Sequence, residues 1–122
     1  MRSNILFFIL AIFPFIIQAQ DTIKVTIHNA GQFVGIEATI CDKVSDVYKP
    51  SGDNKMIYIN FGGKYPDQIF TAVIFPKDQP KFPYNPVEVF KDKNVCITGK
   101  ITEYKGKAQM VLNVPTQVLI QE

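Results

Sequence analysis

"NVCITGKITEYKGKAQMVLNV", residues 94–114, decides the fold. Val95, Ile97 and Ile101 share one side of an extended chain, Lys105-Gly106 supplies a tight turn, and Met110 and Leu112 continue the apolar side on the return. A hairpin of this kind needs other strands to cover its apolar face, and the preceding chain offers them. "MIYINF" (56–61) alternates Ile57 and Ile59 with Tyr58 and Asn60, and "IFTAVIF" (69–75) turns Phe70, Ala72 and Ile74 toward the same interior. "GIEATICDKVSDVY" (35–48) reads as a long first strand, with Ile36, Ala38 and Ile40 on one face and Glu37, Thr39 and Cys41 on the other. The turn-rich "KPSGDNK" (49–55) closes it.

Two further segments complete the outline. "PKDQPKFPYNPVEVFKDK" (76–93) holds Pro76, Pro80, Pro83 and Pro86, which bars a long helix. Asn85-Pro86-Val87-Glu88 still has the form of a helix start, with Asn as N-cap, Pro first and Glu third, so one or two helical turns are expected. Upstream, "TIKVTIH" (22–28) alternates Ile23, Val25 and Ile27, and Asn29 is placed to cap a short turn through Gln32-Phe33 ending at Gly35. A last piece, "TQVLI", follows Pro115. The expectation is an all-β chain of five principal strands, with a short helical insert between strands 3 and 4. Closure into a small barrel is favoured over a sandwich.

The N-terminus has a different character. "MRSNILFFILAIFPFIIQAQ" places Arg2 ahead of an apolar run from Ile5 to Ile17, followed by Gln18-Ala19-Gln20. This is the form of a cleaved secretory signal over residues 1–20, with cleavage after Ala19 or Gln20. The run is shorter than the ~20 residues a spanning helix needs, so an uncleaved anchor is the weaker reading. The expected mature protein is a single domain, 21–122, exported to the periplasm or the medium and without a membrane span. Removing Arg2 from the 13 lysines and arginines leaves 12 cations against 11 carboxylates. Every one of those cations is a lysine, which lacks the planar fork that reads guanine or grips phosphate bidentately. Arginine-based readout of duplex sequence is therefore excluded. Two cysteines in an oxidising compartment favour a disulfide over a reactive thiol.

The order strand–strand–strand–helix–strand–strand is that of an OB-fold. At residue level "FVGIEATICDKV" (33–44), "IYINFGGKYPDQIFTAVIF" (57–75) and "VCITGKITEYKGKAQMVLNVPTQV" (95–118) resemble OB-fold domains of exported bacterial proteins. Some of those stand alone and others are appended to secreted nucleases. The resemblance covers most of residues 30–120 and implies a five-stranded Greek-key barrel with a nucleic-acid-binding role. It also implies a pairing for the cysteines, because the first and fourth strands of such a barrel lie antiparallel. If Cys41 faces Cys96, then Thr39 faces Thr98 and Glu37 faces Lys100, both favourable cross-strand pairs. A Cys41–Cys96 disulfide on the outer face is expected, the alternative being two small half-buried residues.

Catalysis has little to work with, and no enzymatic activity is expected. His28 is the sole histidine and has no identifiable nucleophile beside it. Thermonuclease-type OB-folds pair clustered acids with arginines; Asp42 and Asp46 are present, but the mature chain has no arginine. Asp42, Asp46 and Asp53 do not match a calcium-loop spacing and read as a solvated acidic surface, so no metal or cofactor is expected. The resemblance places the binding face on strands 2 and 3 and the neighbouring loops. That face would offer Tyr58, Asn60, Thr71 and Val73 from the strands, and Lys64 and Tyr65 from the loop between them. Tyr104, Lys105 and Lys107 would come from the last hairpin, with Lys49 and Lys55 from the first loop. Aromatic rings interleaved with lysines suit single-stranded DNA or RNA bound with little sequence preference. The alternatives are an envelope protein or glycan partner, with Val73, Tyr58 and Tyr65 as an apolar patch, or a small-ligand- or cation-binding stress protein.

Overall fold

The long first strand, β2 (Glu37–Tyr48), does two jobs along its length. In the computed structural model, which describes residues 22–121, its first half from Glu37 to Lys43 pairs antiparallel with β5 (Asn94–Tyr104). Its second half, Val44 to Tyr48, pairs with β3 (Ile57–Phe61). A register shift between Val44 and Asp46 marks the change of partner, where a bulge lets the strand bend around a corner. β3 pairs antiparallel with β4 (Phe70–Ile74), and β4 runs parallel to β6 (Lys107–Val111), which returns antiparallel to the second half of β5. The circuit β2–β3–β4–β6–β5–β2 is closed. This connectivity is that of the OB-fold, a five-stranded Greek-key barrel. Two short strands flank it: β1 (Ile23–Val25) lies parallel to β2, and β7 (Val118–Gln121) lies antiparallel to β5. The signal segment expected over residues 1–20 lies outside the described residues.

The β2–β5 register is the one expected. Cys41 faces Cys96, Thr39 faces Thr98 and Glu37 faces Lys100. The cysteines form a disulfide with Cα atoms 4.0 Å apart, and Cys41 is exposed on the outer face. The Thr39 and Thr98 hydroxyl oxygens are hydrogen-bonded at 2.7 Å. Backbone hydrogen bonds Ile101 N to Ile36 O (3.0 Å) and Val44 N to Lys93 O (2.8 Å) carry the same ladder past both ends.

Alternation fills the interior. Ala38, Ile40, Ile57, Ile59, Phe61, Phe70, Ala72, Ile74, Val95, Ile97, Ile101, Met110 and Leu112 are all buried in one cluster. Gly99 lies in β5 just before the stretch that pairs with β6, and its missing side chain makes room. A Cβ there would lie 2.9 Å from Gln117 Nε2 and 3.1 Å from Met110 Cγ. Gln117 uses that space. Its Nε2 donates to the carbonyls of Thr98 (3.0 Å) and Val111 (3.2 Å), and its Oε1 accepts from Asn113 N (2.7 Å) and Val114 N (3.1 Å). One side chain thus satisfies four backbone groups between β5, β6 and β7.

The proline-rich insert forms a 3-10 turn, Pro76–Lys81, and a single helical turn, α1 (Pro86–Val89). Asn85 caps α1 as expected, its Oδ1 accepting from Val87 N at 3.1 Å. Phe90 is buried, and Tyr84 meets it edge-on at 5.5 Å and Phe82 at 5.9 Å; burial pushes the Tyr84 phenol above its ordinary value. Asp78 ties the insert to the barrel. Lys81 Nζ donates to one carboxylate oxygen at 2.8 Å and Asn113 Nδ2 to the other at 3.2 Å. The Lys81 hydrogen bond, joined by that from Asn113, holds the carboxyl below its ordinary value against the opposing effect of burial.

Two local expectations are corrected. Ile36 is 45% exposed rather than inward, because Gly35 (φ 90°) turns the chain just ahead of β2, which starts at Glu37. Asn29 does not cap the turn at Ala30–Phe33. Its Oδ1 accepts instead from Thr26 N (2.8 Å), while its own N–H donates to the Thr26 hydroxyl (3.2 Å), a local Asx-type closure.

Two tests follow from these contacts. Replacing both cysteines by serine releases a 55-residue loop and should cost up to about 4 kcal/mol in urea unfolding. Two titratable thiols in the unreduced protein would contradict the bond. For Asp78 the sign is that of a depressed carboxyl: its contribution is complete above pH ~4 and is lost as pH falls through the folded-state value. Asp78→Asn should therefore be less stable than wild type at pH 7, and the gap should narrow on acidification. A gap that stays constant from pH 7 to pH 2 would refute this role.

Candidate functional site

β3 and β4 turn Tyr58, Asn60 and Thr71 outward, away from the core residues that alternate with them. Loops rise on both sides of this strip and make it a groove of ≈ 660 Å³. The loop between β3 and β4 contributes Tyr65, Pro66 and Gln68, with a cis bond before Pro66. The hairpin between β5 and β6 contributes Tyr104, Lys105, Lys107, Ala108 and Gln109. Its two-residue turn has φ of 49° at Lys105 and 79° at Gly106, the positive pair that suits a tight hairpin. Tyr48 and Pro50, at the exit of β2, close the remaining side.

Four of the five tyrosines in the chain line this groove. Tyr48 and Tyr58 are cross-strand partners with rings stacked at 6.4 Å and 23°. Tyr65 and Tyr104 stand clear of the surface, 74% and 59% exposed. Asn60, also in the lining, is 2% exposed, and its Oδ1 accepts from the Thr71 hydroxyl at 3.0 Å. Gln68 Oε1 is buried without a hydrogen-bond partner. Among the described residues, no carboxylate lines the groove. Lys105 Nζ lies 5.3 Å from the centre of the Tyr104 ring, a cation–π distance. Lys107 Nζ donates to the Pro66 carbonyl at 3.0 Å and contacts that of Gln68 at 3.5 Å.

Of the expected face, Tyr58, Asn60, Tyr65, Thr71, Tyr104, Lys105 and Lys107 are brought together here. Val73 is a correction: it is 1% exposed and cannot belong to a surface patch. It occupies the outward side of β4, but β4 lies between β3 and β6, and its neighbours Tyr58 and Val111 close over it. Lys64 is exposed on the loop and is not among the residues lining the groove; its carbonyl accepts from Asp67 N at 2.7 Å. Lys49 and Lys55 also lie outside it. Tyr48, Pro50, Pro66, Gln68, Ala108 and Gln109 were not anticipated. Tyr48 had a signal, since an aromatic at the end of a strand stacks on the aromatic opposite once the register is known. Gln109 had none without the parallel β4–β6 pairing that sets it beside Thr71.

His28 is exposed and is not among the lining residues. Among the described residues, no group of three or more His, Cys, Asp or Glu stands close enough to hold a metal ion, and no helix is long and apolar enough to cross a membrane. No protein-family model matches the chain, and no curated protein matches it. Among solved structures it is similar to "OBody AM1L10 bound to hen egg-white lysozyme", with a TM-score of 0.48, 14% identity, and coverage of 75% of this chain and 84% of that one. It is likewise similar to "OBody AM3L15 bound to hen egg-white lysozyme", with a TM-score of 0.48, 13% identity, and coverage of 75% and 81%. The OB-fold assignment rests on strand order and register.

An orphaned buried acceptor costs about 1–3 kcal/mol, so Gln68→Met should leave the urea midpoint unchanged or raise it. A loss of more than ~1 kcal/mol would mean that Oε1 has a partner after all.

Proposed function

We propose that this protein is a non-enzymatic, exported OB-fold module that binds single-stranded nucleic acid in the tyrosine groove with little sequence preference. The observation that carries the reading is the grouping of Tyr48, Tyr58, Tyr65 and Tyr104 around one groove that, among the described residues, no carboxylate lines. Every base has a π-face, so stacking on tyrosine recognises a strand without selecting its sequence. Lys105, beside the Tyr104 ring, supplies a point charge where a phosphate would follow a stacked base. The signal-type N-terminus and the exposed disulfide support export. The near-balanced charge of the mature chain favours a second reading, an envelope protein or glycan laid on the same tyrosines.

Salt separates the two. A strand whose phosphate is met by Lys105 should lose affinity roughly two- to threefold between 50 and 200 mM salt, whereas an apolar or glycan contact should change little. In fluorescence anisotropy with labelled 15-nucleotide strands, Tyr104→Ala should weaken binding by roughly 5- to 100-fold with no change in folding midpoint. Absence of binding by the wild-type protein at 50 mM salt would end the nucleic-acid reading.

A further inference from the structure

Lysine 107 stands at the start of β6, paired with Tyr104 across the hairpin turn, and so is anchored to the barrel. Its ammonium reaches across the groove rim to the loop between β3 and β4, where it meets the carbonyls of Pro66 and Gln68. Residues 64–68 otherwise make one hydrogen bond among the described residues, Asp67 N to Lys64 O, which is internal to the loop. The base of the loop is held by Gly63 N to Ser45 Oγ (3.1 Å) and Ile69 N to Phe61 O (2.9 Å), but its apex is joined to another element through Lys107. The apex carries Tyr65, 74% exposed, and the hairpin carries Tyr104. Among the described hydrogen bonds, this ammonium is what links the two. No carboxylate pairs with it; Lys81–Asp78 is the ion pair found among the described residues.

We propose that Lys107 is a positioning residue of the groove, a clasp that holds the Tyr65 loop against the Tyr104 hairpin before any ligand arrives, rather than a lysine that follows phosphate. The proposal rests on the reading of the groove as a single-strand site. A lysine ammonium has three donors and a compact charge, enough to bridge two carbonyls that offer only partial negative charge. Ordering the loop in advance removes an entropic cost that binding would otherwise have to meet. The contribution to affinity is then the same at every ionic strength, because no counterion is released from a phosphate on Lys107's account.

The test compares Lys107→Met, Lys107→Arg and Lys105→Met. In the free protein, hydrogen–deuterium exchange over residues 62–69 should rise roughly three- to tenfold in Lys107→Met, return toward wild type in Lys107→Arg, and stay unchanged in Lys105→Met. Unchanged exchange in Lys107→Met would overturn the clasp, whatever the ligand. With a labelled 15-mer of thymidylate, Lys107→Met should bind roughly three- to tenfold more weakly from 50 to 200 mM salt with the slope of log K against log salt preserved. Lys105→Met should flatten that slope by about 0.7. A slope flattened by about 0.7 in Lys107→Met would assign Lys107 to phosphate and overturn the proposal. If the wild type binds no oligonucleotide, the single-strand reading fails, and the exchange measurement still decides the clasp.

Discussion

From Glu37–Lys100 to Lys43–Asn94, β2 and β5 lie antiparallel in one register, and the rest of the molecule depends on it. Side chains alternate with period two, so a slip by one residue would turn Ile40 and Ile97 to solvent and the cysteines into the core. Two contacts on the outer face oppose such a slip, the Cys41–Cys96 bond and the Thr39–Thr98 hydrogen bond, and Glu37 stands opposite Lys100 in the same register. The same register closes the barrel. Once β2 is joined to β5, the bulge at Val44/Asp46 sends the far end of β2 to β3, and the far end of β5, from Ile101, pairs with β6.

The groove is a by-product of that closure. Burying one face of β3 and β4 obliges the other to face outward, and the loops at their ends rise beside it. Bringing the β2 exit next to β3 puts Tyr48 on Tyr58, and the parallel β4–β6 contact brings the Tyr104 hairpin to the opposite bank. The resulting surface is aromatic and amide-rich, with lysines but no acids along it. Its lysines are not equivalent. Lys105 stands over an aromatic ring with its charge available, whereas Lys107 is engaged by two backbone carbonyls.

The insert between β4 and β5 shows how little helix this fold needs. Four prolines prevent a long helix, and the segment is secured instead by side chains: Phe90 in the core, Asp78 bridged to Asn113, and Gln79 Nε2 donating to Lys55 O at 2.7 Å. These contacts join the insert to the turn after β6 and to the loop before β3.

Alternation, turn chemistry and proline placement determined, without any coordinates, the strands, the inward residues of β3 to β6, the N-cap at Asn85 and the two-residue turn at Lys105-Gly106. These depend on neighbours a few residues apart, so a linear reading reaches them. The cysteine pairing became legible only after a resemblance suggested which strands are adjacent. What the tertiary structure alone decided concerns distance across the barrel: the burial of outward-facing Val73 between its two flanking strands, the arrival of Gln109 beside Thr71, and the capture of Lys107 by carbonyls about 40 residues earlier in the chain. Local pattern says which way a side chain leaves its strand, but solvent exposure and hydrogen-bond partners depend on what closure brings opposite it.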